Sequence, residues 1–174
     1  MLKSGRSGPD DPQFGQLPAI ARVARVRVID DGETLRVGPL EVTAHLTPGH
    51  TPGGTSWTWK SCEKAHCLDI AYVDSLTPVS SDTFLFTRNA TYANVLKDFE
   101  RSFATVSALP CDILLTPHPE ASGLWGRLER RDHGQADALV DTSACRDLVD
   151  GARELLQERV AKEATAQGST ANGT

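Results

Sequence analysis

HLTPGHTPGGTSWTW, residues 45–59, is the stretch from which the fold is read. Its middle, residues 47–54 (TPGHTPGG), holds too much proline and glycine for a helix or a strand and is a constrained loop. Its flanks have the opposite character. LEVTAHL (Leu40–Leu46) enters the loop and TSWTW (residues 55–59) leaves it, each alternating in the period of a half-buried strand. Trp57 and Trp59 fall on one face of the second strand, the face expected to pack core. His50 stands in the middle of the loop, where a sheet would hold it on rigid backbone with its side chain available.

Strand signals continue on both sides. Upstream, ARVRVID (residues 24–30) alternates valine with polar groups and predicts a strand. Asp31-Gly32 is a hairpin-turn signal, and TLRV (Thr34–Val37) continues the meander into LEVTAHL across Gly38-Pro39. Residues 1–20 are rich in Gly, Pro and Asp, have no period, and read as loop. Downstream, LDIAYV (residues 68–73) is another strand, separated from TSWTW by a loop, SCEKAHC. Helical spacing of Val95, Leu96, Phe99, Phe103 and Val106 predicts a helix over about 90–109, stopped by Pro110. CDILL (residues 111–115) has the look of a short buried strand and runs straight into Thr116-Pro117-His118-Pro119. A second amphipathic helix is predicted from 141 to about 164, with Leu148, Leu155, Leu156 and Val160 on one face, and a disordered tail over 165–174. Strands interleaved with helices make the fold class α/β, in one unit through residue 164.

Composition excludes several functions. A chain of 174 residues is long enough for one core, and its net charge of −5 argues against nucleic acid or an anionic membrane as partner. No apolar run approaches the ~20 residues that span a bilayer. MLKSGRSGPDDPQFG has no apolar core and is not a signal peptide. Four cysteines, Cys62, Cys67, Cys111 and Cys145, admit two disulfides, free thiols or an all-cysteine metal site. Only Cys62 and Cys67 are close, which is wrong for a zinc ribbon. Two disulfides would place the protein in an oxidising compartment.

The candidate chemistry sits at strand ends. His50 and His118 occupy proline-braced loops, and a neutral imidazole is the commonest metal ligand; a backbone-bonded loop histidine is the plain alternative for each. Asp74-Ser75-Leu76-Thr77 follows LDIAYV. Asp74 reads as a metal ligand or base, or as the head of an Asx turn. Ser75 and Thr77 offer hydroxyls to a substrate carboxylate or a water. His45 lies on a strand and reads as structural; His66 and His133 read as solvated. Nucleophilic catalysis finds no support: there is no G-x-S-x-G elbow, no phosphate-binding glycine loop, and no H-x-H or H-x-x-x-H pair.

Three runs carry a resemblance. HLTPGHTPGGTSWTW, IAYVDSLTPVS (residues 70–80) and RSFATVSALPCDILLTPHPEAS (residues 101–122) together resemble class B metallo-β-lactamases, most closely subclass three. The likeness extends in order from about Leu2 to about Glu163. It implies the second half of an αββα sandwich, a mixed β-sheet with flanking helices, and a two-zinc site at the sheet edge. His50 matches the third histidine of the first zinc site and His118 the last of the second. Ser75 stands where another subclass has a cysteine ligand and contacts water or substrate, with Thr77 assisting. The resemblance also implies a disulfide between Cys111 and Cys145 and a smaller one between Cys62 and Cys67. The implied activity is hydrolysis of a β-lactam amide by zinc-activated water, in a periplasmic or secreted protein. The family's H-x-H-x-D-H motif has no counterpart in the chain. The first half-domain is accordingly expected to be missing, with one protein ligand left per zinc, an apolar inner face uncovered, and no activity in these residues alone. Two other readings stand beside this one. One is a thioester hydrolase similar to glyoxalase II, with an aspartate near Asp74 bridging the metals; the other is a half-domain without catalysis.

Overall fold

The computed structural model describes the backbone of residues 1–171 and the side chains of residues 1–166. Five strands form one sheet in the order β1 (Thr34–Val37), β2 (Leu40–Leu46), β3 (Thr55–Glu63), β4 (His66–Tyr72), β5 (Ile113–Leu115). The first four are antiparallel, as short connections allow; β5 is parallel to β4. That parallel pairing needs a crossover, and α1 (Val95–Ser107) lies within it. After β5 come a 3-10 turn (Pro119–Ser122), α2 (Leu124–Asp132) and α3 (Ala144–Ala171). The α/β expectation holds, as a mixed sheet with helices.

The helices cover only one face. Residues directly opposite across the ladder share a face, so Thr58, Ala71 and Leu114 point the same way, as do Trp57, Tyr72 and Leu115. Ala71 and Leu114 join Val73, Phe99, Phe103, Val106, Val149 and Leu156 in a single buried cluster. Phe84, Phe86, Phe99 and Phe103 run through it as a chain of ring contacts 5.1, 5.9 and 5.8 Å apart. Each buried ring contributes about 1.5–3 kcal/mol by transfer. The opposite face is equally apolar and has no such cover. Val42, Trp57, Trp59, Tyr72, Ile113 and Leu115 are half-buried there, Val37 is 64% exposed, and none of them belongs to the core cluster. The tryptophans therefore lie on the open face, and β3 meets the core through Ser56 and Thr58 instead. Those small hydroxyls are satisfied at depth: Ser56 by Thr47 at 2.9 Å, Thr58 by His45 at 2.8 Å. Burial holds the His45 imidazole below its ordinary pKa against the opposing pull of Asp31, which suits the structural role read for it.

Four expectations shift. Residues 24–30 form no strand, and Val28 is 82% exposed. The edge of β2 is already taken: beyond the β1 ladder, Gly32 donates to the Ala44 carbonyl and Ala44 to that of Glu33, which leaves ARVRVID without a partner. SCEKAHC is no loop but the zipped end of a hairpin, Cys62 opposite Cys67 and Glu63 opposite His66, with Lys64 in the left-handed region at the turn. The first helix starts at Val95, because the Asn89 side chain captures the Thr91 and Tyr92 amides in an Asx turn. The last helix continues past 164 to Ala171, across most of the tail expected to be disordered; residues 172–174 lie outside the described residues.

Both disulfides are formed. Cys111–Cys145 is buried and joins the approach to β5 to the first turn of α3; Cys62–Cys67 is exposed at the hairpin tip. Loop-closure entropy assigns roughly 3–4 kcal/mol to the first and about 2 kcal/mol to the second. Chemical denaturation should show Cys111→Ser/Cys145→Ser losing about twice the stability lost by Cys62→Ser/Cys67→Ser, and mild reductant should open Cys62–Cys67 first.

Candidate functional site

β2, β4 and β5 all run in one direction, so the segments that follow them emerge at the same edge of the sheet. These are the segments 47–54, 74–77 and 116–118, where the sequence placed its candidates. The topology brings all three together.

The first segment is braced from within and from α1. Thr47 donates its amide to the Gly54 carbonyl at 2.8 Å, and the buried Ser102 hydroxyl holds the Pro48 carbonyl at 2.6 Å. Two of its glycines are obligatory. Gly49 has φ 139°, and a Cβ there would lie 2.8 Å from the Phe99 ring; at Gly54 it would lie 2.3 Å from the Thr47 carbonyl oxygen. Gly53, by contrast, faces open space.

His50, half-buried at the top of this loop, has both ring nitrogens engaged. Nδ1 lies 2.7 Å from the Thr77 carbonyl oxygen and Nε2 lies 3.1 Å from Nε2 of Gln13. A carbonyl only accepts and an amide nitrogen only donates, so Nδ1 carries the proton and Nε2 offers a lone pair. A fixed Nδ1–H is the arrangement that orients a metal-binding histidine, and here the Nε2 lone pair accepts from the Gln13 amide. Gln13 was absent from the sequence candidates because residues 1–20 have no period. It is held by its own amide on Asp11 Oδ1 (2.8 Å) and by the Ser81 amide on the Pro12 carbonyl (2.8 Å).

Asp74 gives both carboxylate oxygens to backbone: Oδ1 accepts the Ser75 amide at 2.8 Å and Oδ2 the Thr55 amide at 3.3 Å. One of these amides is the next along the chain and the other lies across the loop at the start of β3. Ser75 and Thr77 line a cavity of about 520 Å3 together with Asp74 and His118, closed on its far side by α3 at Leu148 and Leu155. The Thr77 hydroxyl also approaches His50 Nδ1, at 3.4 Å. The His118 ring is exposed and takes no hydrogen bond among the described residues, whereas its carbonyl is held by Thr116 Oγ1 (2.7 Å) and the Ala121 amide (2.9 Å). His118 thus has a fixed backbone and a free imidazole.

Zinc holds four ligands in structural sites, and three protein ligands plus an open position in catalytic ones. No cluster of three or more His, Cys, Asp or Glu able to hold a metal occurs among the described residues. Two imidazoles at one sheet edge are a partial donor set and do not close a zinc site.

No family model matches the chain. Solved structures do. Rm3 metallo-β-lactamase superposes with a TM-score of 0.91 at 50% identity, over 94% of this chain and 61% of its own. The chain carries the fold of the subclass B3 metallo-β-lactamases. MEM-A1, a subclass B3 metallo-β-lactamase from a soil metagenome library, matches at TM-score 0.91 and 42% identity over 95% of this chain and 62% of its own. SMB-1, solved with 2-mercaptoethanesulfonate, gives 0.87 and 42% over 93% and 61%. The chain spans about three-fifths of the length of these metallo-β-lactamases.

Two tests address the site. Gly49→Ala should destabilise the chain by about 1–3 kcal/mol through strain against Phe99, and Gly53→Ala should change its melting little. Zinc should bind the purified chain loosely: after dialysis against EDTA, metal analysis should find well under one equivalent and thermal melting should be unchanged.

Proposed function

We propose that this chain supplies one edge of the active site of a zinc-dependent β-lactam hydrolase, with His50 and His118 as metal donors and Ser75 and Thr77 beside the substrate. The observation that carries the proposal is His50, whose Nδ1–H is fixed on the Thr77 carbonyl and whose Nε2 accepts from Gln13, in a loop at the same sheet edge as the free ring of His118. A bound zinc ion supplies Lewis acidity, which ionises water near neutral pH and polarises an amide carbonyl. With two donors in hand, the chain's own part is to orient imidazoles and bind substrate. Ser75 has its amide fixed by Asp74 and its hydroxyl at the cavity, in a position to hold the carboxylate of a β-lactam. The ligand of SMB-1, a small anionic thiol, accords with a site for small anions in that relative.

The remaining donors and the cover for the open sheet face belong, in this proposal, to the two-fifths of the metallo-β-lactamase domain that this chain does not span. The row of half-buried Trp57, Trp59, Tyr72 and Leu115 is too apolar to face water in a working enzyme and suits a second sheet packed on it. The two disulfides favour a periplasmic or secreted setting. A thioester hydrolase would call on Asp74 as bridging ligand; each of its oxygens accepts one backbone amide, and no contact among the described residues favours that reading.

Complementation tests the proposal. The chain alone should not turn over nitrocefin above background. Co-expressed with the part of Rm3 that it does not cover, it should yield zinc-dependent turnover. His50→Ala or His118→Ala in that complex should cut kcat/KM more than about 100-fold, and Ser75→Ala should raise KM up to about 10-fold with kcat little changed. Turnover indifferent to His50→Ala would refute the assignment, as would a folded complex with no turnover.

A further inference from the structure

Both hydrogen bonds to the His50 ring trace back to one irregular segment, residues 77–87, and that segment is gripped by α3. Glu163, with a side chain 4% exposed, accepts the Phe86 amide (3.1 Å), the Thr87 amide (2.9 Å), the Thr87 hydroxyl (2.8 Å) and Arg159 Nε (2.8 Å). Arg159 extends the grip: its Nη2 donates to Ser80 Oγ (2.9 Å) and to the Phe84 carbonyl (3.1 Å), and its guanidinium lies 5.3 Å from the Phe86 ring centre. Burial pushes the Glu163 carboxyl up, but hydrogen bonds from Thr87, Arg159 and Phe86 outweigh it and leave the group below the usual carboxylate range.

An ion pair this deep is a poor source of stability, because desolvation cancels much of the attraction and an apolar pair of similar volume often serves as well. What it does supply is geometry. It anchors a stretch without regular structure at four residues: Ser80 through its side chain, and Phe84, Phe86 and Thr87 through main-chain groups. At one end of that stretch the Thr77 carbonyl accepts a hydrogen bond from His50 Nδ1–H; in its middle the Ser81 amide holds the Pro12 carbonyl, next to the Gln13 whose amide meets His50 Nε2. α3 thereby reaches a ring it does not touch.

We propose that Arg159 and Glu163 are positioning residues for His50: by clasping residues 80–87 they set the hydrogen bonds at both ring nitrogens and keep the proton on Nδ1, with Nε2 as the lone-pair nitrogen. The inference rests on the reading of His50 as a metal donor, but its test needs neither metal nor substrate.

The readout is the His50 tautomer in the metal-free 174-residue chain, labelled with 15N-histidine and recorded by long-range 1H–15N correlation above the imidazole titration. The wild-type chain should show one protonated and one bare nitrogen, the Nδ1–H form. Glu163→Gln should lower the ratio of Nδ1–H to Nε2–H form about fivefold to tenfold, the effect of weakening one hydrogen bond. Arg153→Ala, also on α3 but paired with Glu100 away from the segment, should leave the ratio unchanged. Thr87→Val removes a single contact to Glu163 and should give a shift in the same direction of about twofold; it decides the matter if Glu163→Gln does not fold. An averaged tautomer in the wild-type chain, a folded Glu163→Gln or Thr87→Val with an unchanged ring, or an equal shift in Arg153→Ala would overturn the proposal. A failure of nitrocefin turnover in the complemented enzyme would leave the ring measurement standing, so the two ideas fail separately.

Discussion

The parallel pairing of β5 with β4 is the constraint on which the rest of the structure depends. β4 and β5 are separated by some forty residues, and only a crossover brings them side by side in the same direction. The crossover carries α1 onto the sheet, α1 brings Phe99 and Phe103 over Ala71 and Val73, and the core forms around them. The same pairing sends the ends of β4 and β5 to one edge, which is why Ser75 and His118 share a cavity. Cys111–Cys145 closes the arrangement by tying the approach to β5 to α3.

The core cluster lies on one face of the sheet only. The sheet's helical face is packed, and the Ser56 and Thr58 hydroxyls find partners there. Its other face is a continuous apolar row from Leu35 and Val42 through Trp57 and Tyr72 to Leu115, with nothing of the core cluster on it. A strand buried on one side should turn its apolar residues to the core; β3 alternates, but it presents serine and threonine to the core and tryptophan to the open side. The apolar payload of the sheet is thus directed away from its own helices.

At the site, geometry has been concentrated on His50. Its loop is braced by obligatory glycines and by Ser102, and its two ring nitrogens are assigned by partners of opposite character. His118 receives none of this: backbone fixed, ring free. The two imidazoles therefore stand at different stages of preorganisation. His50 is held by α1 and by the segment that α3 clasps, whereas the exposed His118 ring takes no hydrogen bond among the described residues.

Local pattern was enough for most of the elements. The alternation in TLRV and LEVTAHL, the proline and glycine of TPGHTPGG, and the helical spacing from Val95 to Val106 state their structure through short-range sterics and burial, which a sequence displays directly. The motif runs likewise named His50, Ser75 and His118. What they did not display was anything set by competition between distant groups. ARVRVID has a strand's alternation and no strand, because the edge it would pair with is occupied. Trp57 and Trp59 alternate as a core face should, yet which face of the sheet is core was decided by where α1 came to rest. Gln13 and Glu163 reach the site, directly or through a segment far away in the chain, and no period marks them. The sequence by itself determined the elements and the residues with chemical capacity, since those depend on neighbours along the chain. The tertiary structure alone decided the covered face, the His50 tautomer and the residues that hold it, since those depend on which donors and acceptors the crossover brings within 3 Å of one another.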